Sequence, residues 1–197
     1  CIYFTLTNMS DTQQEFMFLL DISGSMNAPA DIQNPNGTTE ETGLTIWDLL
    51  KHGINAVLNI LNKYNKNNIY ITIILFDHRA QIIQQNKLLT CDLIETIMNQ
   101  INRVIPQYTT NISNALISAL NLINPEMDHT YIQLLTDGIP TNNQGYSSNH
   151  LILETSRVVK QFIDTHNISH DTTTIDTIGL GYNINCTLLN ELLFGKN

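Results

Sequence analysis

Two aspartates in distant segments each close a short apolar run that reads as a buried strand. Residues 16–21 end at Asp21 and lead into Ile22-Ser23-Gly24-Ser25, and residues 131–136 lead into Asp137-Gly138. An Asp-x-Ser-x-Ser turn gathers one carboxylate and two hydroxyls, an all-oxygen set that suits hard divalent cations such as Mg²⁺. Neutral hydroxyl ligands leave a cation electron-poor, so it still attracts an incoming carboxylate, and Mg²⁺ keeps waters that such a ligand displaces. Two carboxylates in one crevice repel each other unless a cation lies between them. Taken singly, each element has a plainer reading. Asp21 to Ser25 could be an Asx-turn and Asp137-Gly138 an ordinary turn. Thr110, just before Asn111, could be a helix N-cap.

Catalytic alternatives find less support. Asp, Ser and His are all present, but no G-x-S-x-G supports a nucleophile elbow. There is no G-x-x-x-x-G-K-[ST], and Gly179-Leu180-Gly181 lacks the rest of a dinucleotide fingerprint. His78 follows a strand end that could lie near a metal, although a single His in a turn is more often a bystander. A Mg²⁺-dependent phosphohydrolase needs further carboxylates and a basic group for phosphate. Lys and Arg total only 9. The expectation is a non-enzyme, with a Mg²⁺-dependent hydrolase and a structural module with an unused metal site as alternatives.

The elements that must position these residues alternate in type. Phe16 to Leu20 is continuously apolar, the pattern of a strand buried on both faces of a parallel sheet. Residues 26–43 are rich in Asn, Pro, Gly and Thr and read as a long loop without structure of its own. Residues 44–63 form a helix with Leu50, Ile54, Val57, Leu58 and Leu61 on one face, and Thr45 with Asp48 suits its first turn. Residues 69–76 are a second buried strand, and 80–87, after Asp77-His78-Arg79, an antiparallel edge strand. Leu93, Ile97, Ile101 and Val104 mark one short helix, and Ile112 to Ile123 another that opens after Thr110-Asn111. Then come a strand at 131–136, a helix at 151–164, a strand at 172–178 and a Leu-rich helix at 186–194. Such alternation implies an α/β fold: a mostly parallel central sheet with helices on both faces. Ligands in such sheets sit at the carboxyl ends of strands where the winding reverses, where Asp21 and Asp137 would meet.

Bulk properties narrow the class. The 197 residues suffice for one α/β domain. No apolar run is long enough to span a bilayer. A net charge of -9 argues against a nucleic-acid partner. Three widely spaced cysteines, Cys1, Cys91 and Cys186, cannot all pair internally, which leans towards a reducing, cytoplasmic setting. The chain opens at Cys1 rather than Met and has no basic leader, which suggests processing or an excerpt.

In order, Asp21-x-Ser23-x-Ser25, Thr110-Asn111-Ile112 and Leu134-Leu135-Thr136-Asp137-Gly138 resemble the von Willebrand factor type A (integrin I-like) domain. Phe76 ahead of Ala80, and Thr177 to Gly181 before a Leu-rich helix, resemble its other strands. The resemblance implies a domain over 16–197 preceded by an N-terminal segment, 1–15. The family's final edge strand is either missing or lies beyond Asn197. It further implies a metal-ion-dependent adhesion site holding Mg²⁺, with Mn²⁺ or Ca²⁺ as alternatives. Ser23 and Ser25 would bind the cation directly, Thr110 directly or through water, and Asp21 and Asp137 through water or by bonding the serines. Gly24 would permit the tight turn. The open coordination position would take an Asp or Glu carboxylate from a partner protein. Intracellular members of the family act as adaptors. The 26–43 connection is longer than is typical and is placed to contribute specificity.

Overall fold

A computed structural model describes residues 12–33, 36, 38–65, 67–137, 140–141, 147–181 and 184–195. Strand β1 (Gln14–Asp21) leads through a 3-10 turn (Gly24–Asn27) to two short strands, β2 (Ile32–Gln33) and β3 (Thr39–Glu40). Helix α1 (Ile46–Tyr64), β4 (Ile69–Phe76), β5 (Ala80–Leu88), α2 (Cys91–Ile101) and α3 (Ile112–Leu120) come next. The chain then forms β6 (His129–Thr136), α4 (Asn149–Thr165), β7 (Thr173–Gly179) and α5 (Cys186–Glu191).

Strand alternation divides β1 between two cores. Phe16, Phe18 and Leu20 pack with Leu50, Ile54 and Leu58 of α1 and Ile94, Ile97 and Ile101 of α2. Met17 and Leu19 face the other way, with Ile112, Leu116 and Leu120 of α3, Val159 of α4 and Leu188 of α5. Apolar residues are therefore needed at successive positions, which explains the continuous run. The sheet order is β5-β4-β1-β6-β7. All pairs are parallel except β4 with β5, the expected antiparallel edge. The chain leaves β1 to build β4 on one side and later returns to build β6 on the other. The winding thus reverses at the β1/β6 boundary, and the carboxyl ends of those two strands flank the crevice.

Local chemistry sets the helix starts. The Thr45 side chain accepts the Asp48 N–H and Asp48 Oδ2 accepts the Thr45 N–H, at 3.1 and 3.0 Å, a reciprocal cap for α1. The 26–43 segment is not the structureless loop its composition suggests. β2 and β3 pair antiparallel, Pro29 bridges Thr45, and Ala30 N–H donates to the Leu44 carbonyl at 2.8 Å. Both ends of the segment are thereby held at the start of α1. Two-residue strands have no periodicity to read, which is why the pattern hides them. At the other end of the chain α5 stops at Glu191, earlier than its leucines suggest, and Phe194 forms an antiparallel bridge with Ile175.

Candidate metal centre

Asp21 is fully buried at the end of β1 and both its oxygens are engaged. Oδ1 accepts the Ser23 N–H at 2.8 Å, and Oδ2 accepts the Thr136 hydroxyl at 2.5 Å. Thr136 sits at the end of the adjacent parallel strand, one residue before Asp137. Burial, and then the charge of Asp137, push the Asp21 carboxyl up to about 7, against the lowering effect of the Thr136 and Ser23 hydrogen bonds. The two strand-end aspartates therefore share one electrostatic environment. Gly138 lies outside the described residues.

The Asp21–Ser23 bond is an Asx-turn, but the serine hydroxyls do not cap the 3-10 turn after it. Ser23 occupies the N-cap position of that turn without a side-chain cap hydrogen bond. Its Oγ instead lies 3.0 Å from Ser25 Oγ. Ser23 is buried and Ser25 exposed, so the hydroxyl pair runs from the carboxylate out to the surface. Met26, fully buried in the α1 core, pins the turn from below. Gly24 plays a smaller part than the sequence suggests. It is not among the glycines at positive φ, and an added Cβ would meet the Tyr108 carbonyl oxygen only at 3.5 Å, an ordinary contact.

Thr110 is buried two residues before α3, and the cap of that helix is Asn111, whose Oδ1 accepts the Asn114 N–H at 3.0 Å. The threonine's backbone is held on both sides by Thr141: its N–H donates to Thr141 Oγ1 at 2.8 Å and its carbonyl accepts the Thr141 N–H at 3.0 Å. The loop before it is stitched to the serine turn. Gln107 N–H donates to the Ile22 carbonyl at 2.9 Å, Gly24 N–H to the Tyr108 carbonyl at 3.0 Å, and the Asn27 amide to the Pro106 carbonyl at 2.8 Å. Asp21, Ser23 and Ser25 are thus linked by direct contacts, Asp137 by its charge, and Thr110 through the loop that carries it. His78 lies on the same rim, with its ring edge against Tyr108 at 4.8 Å and Nδ1 2.9 Å from Asp77 Oδ1.

Thr136 and Thr141 are neighbours of the candidate site to which the residue spacing assigns no role. Thr136 had a usable signal, a hydroxyl next to the strand-end aspartate, but its bond to Asp21 depends on strand register. The donor chemistry suits a hard cation: hydroxyls and two carboxylates, one of them raised by burial and by the other's charge. Among the described residues, no three of His, Cys, Asp and Glu converge on a point that could hold a metal. A cation here would therefore depend on the hydroxyls.

The von Willebrand factor type A domain profile matches residues 16–139. No curated protein matches the sequence. Among solved structures, the PilB minor pilin from Streptococcus sanguinis is similar over 93% of this chain and 55% of its own, at 18% identity and a TM-score of 0.69. Proximal thread matrix protein 1 from the mussel byssus is similar over 95% of this chain and 41% of its own, at 22% identity and a TM-score of 0.61. The pilus adhesin SpaC from Lactobacillus rhamnosus GG covers 85% of this chain and 24% of its own, at 13% identity and a TM-score of 0.63. This chain spans about half or less of the length of each of these structures, and at these identities the likeness concerns the fold. With the profile covering well over half its length, the chain belongs to the von Willebrand factor type A domain family.

Proposed function

We propose that the domain binds a divalent cation, Mg²⁺ with Mn²⁺ or Ca²⁺ as alternatives, and uses it to recognise an acidic group on a partner protein. The observation that carries this reading is the pairing of a buried carboxyl, raised to about 7 beside a second carboxylate, with two hydroxyls 3.0 Å apart at the switch point of the sheet. Ser23, Ser25 and Thr110 would hold the cation through their hydroxyls. Asp21 and Asp137 would supply charge, directly or through water. The cation itself would supply an electrophilic position for a partner's Asp or Glu.

The residues around it do the remaining work. Thr136 holds the Asp21 carboxylate in place, and Met26 fixes the serine turn against the core. The presence of a minor pilin and a pilus adhesin among the similar folds supports an interaction module. The three widely spaced cysteines fit a reducing, cytoplasmic setting, with an extracellular one as the alternative. No helix among the described residues is long and apolar enough to cross a membrane.

A ligand that binds only the folded state raises stability by mass action. Excess Mg²⁺ should therefore raise the melting temperature over that in EDTA, and a pull-down of partners should lose its specific bands when a chelator is added. Identical melts with identical pull-downs contradict the reading.

A further inference from the structure

Four non-glycine residues among the described ones have positive φ, and three are asparagines: Asn67, Asn86 and Asn167. Asparagine enters that region more readily than other L-residues. The fourth is Tyr108, at φ 67°. A bulky aromatic is strained there, and strain of this kind persists where surrounding structure enforces it, often at ligand-binding positions. The enforcing contacts are with the serine turn, because the Tyr108 carbonyl accepts the Gly24 N–H and its neighbour Gln107 donates to the Ile22 carbonyl.

Core burial does not explain why the residue is aromatic. Tyr108 is 65% exposed, touching the His78 ring only by an edge. Three residues earlier Ile105 is 73% exposed, more than any other large apolar side chain among the described residues. Pro106 between them is buried and its carbonyl holds Asn27 of the turn. A loop tied to the candidate metal turn by three hydrogen bonds thus presents two large apolar side chains to water.

We infer that Tyr108, together with Ile105, is a specificity-determining surface beside the metal site, which selects acidic partner segments carrying an apolar or aromatic side chain close to the carboxylate. This rests on the metal-bridge reading above and adds what the partner must carry. In an extended peptide, side chains two residues apart point the same way, about 7 Å apart. A carboxylate on the cation would then place the second side chain one strand repeat away, a distance suited to a loop whose backbone bonds the turn directly. The matching partner pattern is Asp-x-aromatic. The exposed Tyr108 ring also attracts a cation, but Ile105 does not, so a Lys side chain should gain less than an aromatic one that packs on both.

The test uses end-blocked, fluorescently labelled peptides with Gly-Asp-Gly-Phe, Gly-Asp-Gly-Gly or Gly-Asp-Gly-Lys at their centre. Anisotropy is read with Mg²⁺ and with EDTA. The Phe peptide should bind wild type about tenfold more tightly than the Gly peptide in Mg²⁺. Tyr108→Phe should keep that difference. Tyr108→Gly should erase it while melting no lower than wild type, because glycine adopts the backbone angle without strain. Equal affinity for the Phe and Gly peptides, an equal gain from Lys, or a difference that survives Tyr108→Gly overturns the inference. So does a fall in melting temperature in Tyr108→Gly, which would make the ring a structural support. Peptide binding that survives EDTA and Ser23→Ala/Ser25→Ala instead overturns the metal reading beneath it. If no peptide binds at millimolar concentration, the specificity proposal falls, and direct cation titration decides the reading on which it rests.

Discussion

β1 carries two buried carboxylates on one face, Glu15 near its start and Asp21 at its end, and their surroundings differ. Glu15 Oε1 accepts the Thr72 hydroxyl at 2.5 Å, and Oε2 has no hydrogen-bond partner among the described residues. Burial raises its pKa, opposed by the Thr72 bond. Asp21 has both oxygens bonded, a second carboxylate beside it, and two serine hydroxyls leading to the surface. Burial of an acid is therefore not what distinguishes a candidate metal centre. The difference lies in the neighbouring negative charge and in hydroxyls that are not consumed by capping. Both arise from position, because the amino end of β1 meets strand beginnings while its carboxyl end meets β6 at the reversal of winding.

The comparison predicts separate responses to substitution. Asp21→Asn should weaken cation binding by about 100-fold or more, since it removes a charge and disturbs the serine turn. Glu15→Gln, which can still accept from Thr72, should leave cation affinity unchanged and alter stability by no more than about 1 kcal/mol. Calorimetric titration of both variants with Mn²⁺ checks the pair. Equal losses would mean that the two carboxylates act only through the fold.

Asp137→Ala comes next in size. It should weaken the cation by about tenfold to 100-fold while leaving the sheet folded. It should also raise the cation-free melting temperature, because the charge that disfavours ionised Asp21 is gone. Wild-type affinity in this variant would place Asp137 outside the site.

The smallest effect is a pH dependence, and its sign is set by Asp21. Its folded pKa, about 7, lies above the ordinary 3.8, so the folded chain holds that proton more tightly than the unfolded one. The contribution is full below the unfolded value and is lost as pH rises towards 7. A cation bound as proposed would take over the role of the proton. The rise in melting temperature produced by Mg²⁺ should therefore grow from about pH 5 to about pH 8. Thermal melts of wild type and Glu15→Gln should show this growth equally, and a shift independent of pH would contradict the role assigned to Asp21.

Much of this was legible in the sequence. Ile69–Phe76 announces its bounds because all of its residues but Tyr70 are buried, and Asp21 and Asp137 stand where apolar runs stop. The order of the longer helices and strands follows from apolar runs and helical periods, whereas the two-residue β2 and β3 leave no such trace. Other features depend on contacts between distant segments. The Thr136 hydroxyl reaches Asp21 only through the β1/β6 register, and Thr141 reaches Thr110 across more than a helix and a strand. Thr109-Thr110-Asn111 offers three capping residues in a row, and composition alone does not say that Asn111 is used. Nor does any side-chain pattern reveal that Tyr108 takes a backbone angle its neighbours impose.

The most direct measurement is a calorimetric titration of Mn²⁺ and Mg²⁺ into wild type and into Ser23→Ala/Ser25→Ala. Removing both hydroxyls keeps Asp21, Asp137 and the core, so circular dichroism should show an intact fold. Wild type should bind one cation with a saturable heat and the double variant should show none. A folded double variant that binds the cation as wild type does would contradict the account at its centre.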